Sequence, residues 1–189
     1  MATADVELMT AEEFLALPDD GTDRWLIRGR LRGDTMTKRN RFHAFAEASV
    51  VGLLKKWVWN QPKPRGHVLS GEAGFRLKKN PDTCVGIDVA YISPELAAAD
   101  PNDTTMIDGA PTLAVEILSP SDKKEEMDEK IAEYLSSGVA LVWLVDARWH
   151  TVTVHQPGKL PVLYNESQEL SADPILKGFQ IMVSDIFEE

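Results

Sequence analysis

The chain has 189 residues, of which 43% are hydrophobic and 26% charged, and this length and composition are typical of a single domain with one substantial core. The formal net charge of -10 argues against general adhesion to nucleic acid, because such adhesion depends on Lys and Arg side chains that neutralise phosphates. The single Cys84 excludes an intramolecular disulfide, and no apolar stretch approaches the roughly 18 residues of a membrane span. We therefore expect one cytoplasmic domain over residues 1–189, with a short helical segment at 1–20, a core at 21–189, and neither a membrane span nor a secretory leader.

The charge is distributed unevenly along the sequence. Residues 1–79 contain 14 Lys and Arg against 10 Asp and Glu, whereas residues 80–189 contain 6 against 20. The corresponding formal charges are +4 and -14, so a locally basic surface is compatible with the acidic average.

The first predicted elements are a short helix and a basic hairpin. Thr10 followed by Glu13 is a capping-box pattern, which predicts a helix that ends before Pro18. The stretch RWLIRGRLRGD alternates between apolar and basic residues and predicts a β-hairpin with Gly29 in a turn or a bulge. We expect one side of the hairpin to carry Trp25, Ile27 and Leu31 and the other side to carry Arg24, Arg28, Arg30 and Arg32.

The middle of the chain predicts a long helix and then three strands. NRFHAFAEASVVGLLKKWVWNQPKP is stopped by Pro62 and Pro64, and its apolar residues recur at helical spacing, namely Phe42, Phe45, Val50, Leu53, Leu54 and Trp57. Strands are predicted at GEAGFRL, GIDVAYI and LAVEIL, separated by turn-rich segments at 78–86 and 100–111.

The last part of the chain predicts a second helix and further strands. SDKKEEMDEKIAEYLSSG has Ser121 as a candidate N-cap, Gly138 as a C-cap signal, and a core stripe made of Met127, Ile131, Tyr134 and Leu135. ALVWLVDA and TVTVHQ predict strands, and ILKGFQIMVSDIFEE is an amphipathic C-terminal segment. The order of elements predicts an α/β sandwich around a mixed sheet.

Two acidic residues interrupt the apolar strand patterns. Glu116 lies in LAVEIL, which is apolar on both faces and predicts a central strand covered by helices. Alternation in GIDVAYI puts Asp88 on a face with Ala90 and Ile92, opposite Ile87, Val89 and Tyr91. Buried ionised carboxylates are costly unless they are paired or bound to a metal. If the two converge they form an oxygen-rich site suited to Mg²⁺ or Mn²⁺; the structural alternative is a hydrogen-bonded strand end for Asp88 and a Lys or Arg partner for Glu116.

Three further residues are candidates for an accessory role. His43 and Glu47 share a helix face at i and i+4, which favours either an outer contact to a metal site or a hydrogen-bonded core histidine. Glu72 approaches Asp88 across the predicted sheet or is an ordinary edge carboxylate.

The run GIDVAYISPE, followed by GAPTLAVEILSPSDKKEEMDEKIAEYLSSGVALVWLVDARWHTVTVHQPG, resembles the Uma-type restriction endonucleases, a branch of the PD-(D/E)XK nuclease superfamily. The succession VEILSPS, Lys, Tyr, GV and VWLVD is the specific part, and the resemblance extends over nearly the whole chain. It implies a restriction-endonuclease-like core, with a mixed central sheet flanked by helices and an N-terminal β-hairpin. Asp88 and Glu116 are then the two acids of the site.

The chain shares one departure of this family from the superfamily pattern. Two residues beyond Glu116, where the superfamily expects lysine, stands Leu118, and the resemblance implies that Lys130 of the following helix replaces it. Glu116 lies about 16 Å before Ser121 along a strand, and Lys130 about 13 Å after it along a helix. A helix that folds back over the sheet therefore brings both side chains to one level, whereas an isolated helix lysine would be solvated. Tyr134, on the same helix side, is a further accessory candidate or simply a core residue.

The hairpin departs from the family pattern. Relatives carry acids where this chain has Trp25, Arg28 and Arg30, so any function of those acids is lost. The more basic hairpin favours either contact with a phosphate backbone or a solvated arginine face.

The working hypothesis is an endonuclease that uses Mg²⁺ or Mn²⁺ to hydrolyse DNA phosphodiester bonds. Its predicted catalytic residues are Asp88, Glu116 and Lys130, and the predicted metal ligands are Asp88, Glu116 and the main-chain carbonyl of Ile117. The alternatives are a catalytically inactive nuclease-fold module for binding or regulation, and a homo-oligomer, such as a homodimer, built on the Trp-rich helix and the C-terminal segment.

Overall fold

The computed structural model describes residues 8–35, 40–99 and 104–188. Residues 1–7 of the predicted N-terminal segment and residues 100–103 of a predicted turn-rich segment lie outside these ranges. The helices are α1 (Ala11–Leu15), α2 (Arg41–Trp59), α3 (Pro94–Ala99), α4 (Lys124–Ser136) and a 3₁₀ helix (Val183–Ile186). The strands are β1 (Thr22–Ile27), β2 (Arg30–Thr35), β3 (His67–Lys78), β4 (Thr83–Ile92), β5 (Ile107–Asp108), β6 (Leu113–Ile117), β7 (Leu141–Asp146), β8 (Thr151–His155), β9 (Val162–Asn165), β10 (Glu169–Ser171) and β11 (Gln180–Met182).

Most of these strands join one mixed sheet with the order β2-β1-β4-β6-β7-β8-β9. β3 pairs along β4 and also with the short β5, while β10 and β11 form a separate ribbon. β6 runs parallel to β7 and β3 parallel to β5, and the remaining pairs are antiparallel. The predicted mixed sheet between helices is therefore confirmed.

The two faces of the sheet are covered by different helices. α2 packs on one face through Ala46, Val50, Leu54 and Val58, whereas Phe42 of the predicted stripe is 55% exposed. α4 packs on the other face through Met127, Ile131 and Tyr134. Every residue of β6 is buried, as the pattern LAVEIL predicts for a strand covered on both sides.

The N-terminal helix has the predicted cap, but the hairpin faces differ from the prediction. The Glu13 amide donates to Thr10 Oγ1 at 3.2 Å and the Thr10 amide to Glu13 Oε2 at 2.8 Å, a complete capping box. A two-residue turn at Arg28 and Gly29, both with positive φ, pairs Trp25 with Arg32 and Leu26 with Leu31. Because opposed residues share a face, Leu31 lies on the side opposite Trp25, whereas Arg30 and Arg32 lie on the side of Ile27 and Trp25. The predicted faces are wrong for these three residues.

The start of α4 also differs from the prediction. Its N-cap is Lys123, without a side-chain cap, and Ser121 lies in the turn before it. Ser119 and Ser121 are joined by their hydroxyls at 2.8 Å, and Asp122 accepts hydrogen bonds from the Ser119 amide and hydroxyl, both at 2.8 Å. A turn closed by Asp122 therefore replaces the predicted serine cap. Gly138, at φ 99°, follows the end of the helix as predicted.

The exposed tryptophans are Trp59 and Trp149, at 67% and 69%. Trp59 lies at the end of α2 and Trp149 in the turn after β7. The homodimer expected from the Trp-rich helix and the C-terminal segment stays a prediction. None of the helices in the described ranges has the length and apolar content that a membrane span requires.

Candidate active site

The site lies where β4 stops pairing with β1 and begins to pair with β6. β4 pairs with β1 at Leu26 and Cys84, and with β6 from Val89 to Tyr91. In the β4–β6 register Val89 faces Val115, so the next position along sets Asp88 opposite Glu116. The two acids therefore converge at the point where the strands separate.

A β-bulge opposite Asp88 breaks the predicted alternation of β4. β3 pairs Ser70 with Val89 but Ala73 with Ile87, so it has one extra residue at this point. Ile87 consequently packs in the same cluster as Ala90 and Ile92, on the α4 side, and its predicted placement with Val89 and Tyr91 is wrong.

Asp88 is buried, and its contacts include one group from β6 and one from α2. The amide of Ile117 donates a hydrogen bond to Asp88 Oδ2 at 2.8 Å, and His43 Nε2 lies 3.3 Å from the same oxygen. The first contact joins β4 to the end of β6, beyond the residues that pair in the regular β4–β6 ladder. The second brings the first turn of α2 to the site.

Glu116 is buried between Tyr134 and Lys130 of α4. The Tyr134 hydroxyl donates a hydrogen bond to Glu116 Oε1, and Lys130 Nζ lies 3.6 Å from Glu116 Oε2. Burial raises the pKa of Glu116 to about 7 and the charge of Asp88 adds to the rise, although Lys130 and the Tyr134 hydrogen bond oppose it. Glu116 thus takes up a proton near neutral pH.

Lys130 is close to Glu116, as the strand and helix rises predict. Its side chain is 16% exposed, and its Nζ also lies 5.1 Å from the centroid of the Trp25 ring. Burial lowers the pKa of Lys130, but neighbouring carboxylates, Glu116 first among them, outweigh this effect and leave the pKa above its usual value. Lys130 is therefore a positively charged group within the site.

The accessory candidates occupy different positions around Asp88. His43 is buried, and its Nδ1 lies 3.9 Å from Glu47 Oε2. Glu47 Oε1 accepts a hydrogen bond from the Gly71 amide at 2.9 Å, which fastens α2 to the bulge of β3. Glu72 stands in that bulge at φ 59° and lines the same cleft as Asp88.

A cleft of about 130 Å³ opens beside these residues. All the residues predicted for the site line this cleft, except Glu47 and Tyr134. Sequence reasoning did not identify the acidic contributors Asp23, Asp122 and Glu126, nor Trp25, as part of this wall. They come from the hairpin and from α4 with its preceding turn, and only the fold places these elements at the mouth of one cleft.

The hairpin arginines are paired with acids of α4. Arg32 donates to both oxygens of Glu129, at 3.0 and 2.9 Å, and Arg28 Nη2 lies 2.7 Å from Glu133 Oε1. Lys78 Nζ contacts the other oxygen of the buried Glu133 at 3.1 Å. Arg28 and Arg32 are thus ion-paired with α4 rather than simply solvated, and a contact of these residues with a phosphate backbone stays a prediction.

The oxygen donors fit a small, hard cation better than zinc. Within the described ranges no cluster of three or more His, Cys, Asp and Glu side chains is arranged around a metal position. Mg²⁺ needs only one or two carboxylates, because it keeps several of its waters. Asp88 and Glu116, with the adjacent Ile117 carbonyl, supply such a set, whereas a zinc site needs four ligands that are mostly nitrogen or sulfur.

Comparison with known proteins matches the chain to a family model and to solved structures. The family model Uma2, with the description "Putative restriction endonuclease", matches residues 11–184. The chain is also similar to the crystal structure of "a putative nuclease belonging to DUF820" from Anabaena variabilis ATCC 29413, with 20% sequence identity and a TM-score of 0.79. That likeness covers 95% of this chain and 97% of the other. Comparison with curated proteins gives no match. The matches confirm the expected resemblance and the restriction-endonuclease-like fold.

Proposed function

The chain belongs to the Uma2 family, and from this premise we propose that it is an endonuclease that hydrolyses DNA phosphodiester bonds with the help of Mg²⁺ or Mn²⁺. The observation that carries the proposal is the convergence of Asp88 and Glu116 in a buried cleft with Lys130 3.6 Å from Glu116. Two acids and a lysine around one cavity are suited to phosphoryl chemistry, which depends mainly on positioning and electrostatic stabilisation.

Asp88, Glu116 and the main-chain carbonyl of Ile117 would hold the metal ion. When bound, the ion would polarise the scissile phosphate and lower the pKa of a water molecule. Both acids are placed by hydrogen bonds within the protein: the Ile117 amide donates to Asp88, and the Tyr134 hydroxyl donates to Glu116. The protein therefore maintains the position of the acids through its own hydrogen bonds.

Lys130 would act on the reacting phosphate. Its charge lies beside the two acids, where it offsets negative charge that develops on the phosphorus centre or orients the attacking water. His43, in contact with Asp88 Oδ2, would restrain the carboxylate from the α2 side.

DNA must approach an acidic neighbourhood, since the C-terminal part of the chain carries a formal charge of -14. The divalent ion and Lys130 would offset this charge in the cleft. We therefore expect DNA binding to depend strongly on the divalent ion and on salt.

The direct test is nicking of supercoiled plasmid by the purified protein with Mn²⁺. We expect the wild type to cleave and Glu116→Gln to lose cleavage, while Glu125→Gln, an exposed acid on the same α4, keeps it. Equal nicking by wild type and Glu116→Gln would assign the activity to a contaminant. No cleavage by the wild type with either ion would favour the inactive binding or regulatory module.

A further inference from the structure

Trp25 lines the cleft, yet the proposed reaction assigns it no role. The residue is 6% exposed, and Lys130 Nζ lies 5.1 Å from its ring centroid. A cation over an indole face is attracted by the ring quadrupole, and this attraction grows when the pair is withdrawn from water. With 16% of its side chain exposed, Lys130 meets that condition.

The position of the ring is fixed from outside the cleft. Arg32, the cross-strand neighbour of Trp25, binds both oxygens of Glu129, the residue that precedes Lys130 in α4. Arg28 holds Glu133, one turn further along the same helix. These ion pairs join the hairpin to α4 on either side of Lys130. They therefore fix the position of the Trp25 ring relative to the Lys130 ammonium.

Lys130 does not form a hydrogen bond with Glu116. The distance of 3.6 Å between Nζ and Oε2 exceeds that of a charge-assisted hydrogen bond, and within the described ranges Lys130 donates no hydrogen bond. An ammonium has three donors, so those of Lys130 are available to a group entering the cleft. A closed salt bridge would instead occupy the carboxylate oxygen that a cation needs.

We propose that Trp25 is the positioning residue of Lys130: its ring holds the ammonium by a cation–π contact, away from a closed salt bridge with Glu116. The inference rests on the proposed function, because the benefit is a lysine kept available for the phosphate. A purely structural role is the competing explanation, since Trp25 also belongs to the core on the α4 side.

The experiment compares Trp25→Phe, which keeps a ring, with Trp25→Leu, which does not. For Mn²⁺-dependent cleavage we expect Trp25→Leu to lower kcat roughly 10- to 30-fold with little change in KM, and Trp25→Phe to recover most of the loss. Trp143→Phe is the matched control, because Trp143 is a buried tryptophan in the core on the α2 side and should leave kcat unchanged.

A double-mutant cycle separates positioning from packing. If Trp25 acts through Lys130, Trp25→Leu causes no further loss of kcat in a Lys130→Met background. Losses that multiply in the double variant, or a wild-type kcat in folded Trp25→Leu, would overturn the inference.

A spectroscopic measurement is independent of turnover. In protein labelled at the lysine ε-carbon, the Lys130 signal, assigned with Lys130→Met, should show an upfield ring-current shift that persists in Trp25→Phe and disappears in Trp25→Leu. Absence of the shift in the wild type would overturn the contact itself. A wild type that shows the shift but does not cleave would instead refute the proposed function, and the catalytic role of Trp25 with it.

Discussion

Tyr134 donates a buried hydrogen bond to Glu116, and this bond joins α4 to the centre of the sheet. Tyr134 is fully buried and Glu116 is 4% exposed, so loss of the bond would leave a buried polar group without this partner. The hydroxyl fixes Oε1, while the second oxygen, Oε2, points to Lys130. The orientation of the proposed metal ligand is therefore set by a tyrosine outside the cleft.

Removal of this hydroxyl in Tyr134→Phe should cost about 1 kcal/mol of unfolding free energy. Because the hydrogen bond lowers the pKa of Glu116, its loss should raise that pKa further and move the acid limit of Mn²⁺ binding to higher pH. Calorimetric titration at several pH values checks this, with Tyr164→Phe on the distant β9 as control. An unchanged acid limit in Tyr134→Phe would contradict the role of the hydroxyl.

Glu116→Gln should increase stability at alkaline pH while abolishing activity. The folded pKa of about 7 lies above the ordinary 4.5, so as pH rises between these values the unfolded chain loses the proton first and the folded state loses stability. The loss is about 3 kcal/mol above pH 7, from the free-energy equivalent of the shift. Urea unfolding with chelator should give similar stabilities at pH 4.5 and a more stable variant at pH 8. Parallel stability curves would show that Glu116 is not perturbed.

Mn²⁺ binding should compete with protonation of Glu116. Below pH 7 the apparent affinity should fall about tenfold per pH unit, and binding should release close to one proton. Calorimetry in buffers of different ionisation enthalpy measures the released proton, and Asp88→Asn should bind weakly at every pH. An affinity that is constant from pH 5.5 to pH 8 would exclude Glu116 as a ligand.

The elements that carry strong patterns could be predicted from the sequence. The capping box at Thr10, the buried run of β6 and the stripe of α4 each satisfy one local rule, and each is found where expected. β9 was missed because it is an edge strand whose side chains are largely exposed, so it has no hydrophobic alternation. The bulge in β3 was missed because only the pairing with β4 reveals it.

The sequence predicts those residues of the candidate site whose burial is visible in the strand patterns. Asp88 and Glu116 stand out as acids in apolar strands, and the strand and helix rises bring Lys130 to their level. Trp25 gave no such signal, because a tryptophan in an alternating strand is an ordinary core residue. Its contact with Lys130 depends on how the hairpin docks on α4, and the ion pairs that fix this docking join residues far apart in sequence.

The hairpin arginines should contribute to stability rather than to DNA affinity. Glu133 is buried between Arg28 and Lys78, but these cations are 64% and 30% exposed and stay solvated when Glu133 is removed, so Glu133→Ala should cost about 1 kcal/mol. Arg32→Gln breaks a partly exposed pair and should cost less than about 1 kcal/mol. Urea unfolding measures both effects.

DNA binding distinguishes Arg32 from a phosphate contact. Because Glu129 already neutralises Arg32, Arg32→Gln in a Glu116→Gln background should leave the dependence of duplex affinity on salt unchanged. Loss of a true phosphate contact would reduce the slope of log affinity against log salt by about 0.9. Fluorescence anisotropy at four salt concentrations resolves such a change, and Lys130→Met in the same Glu116→Gln background is the comparison in which we expect it. A reduced slope in Arg32→Gln would mean that Arg32 leaves Glu129 when DNA binds.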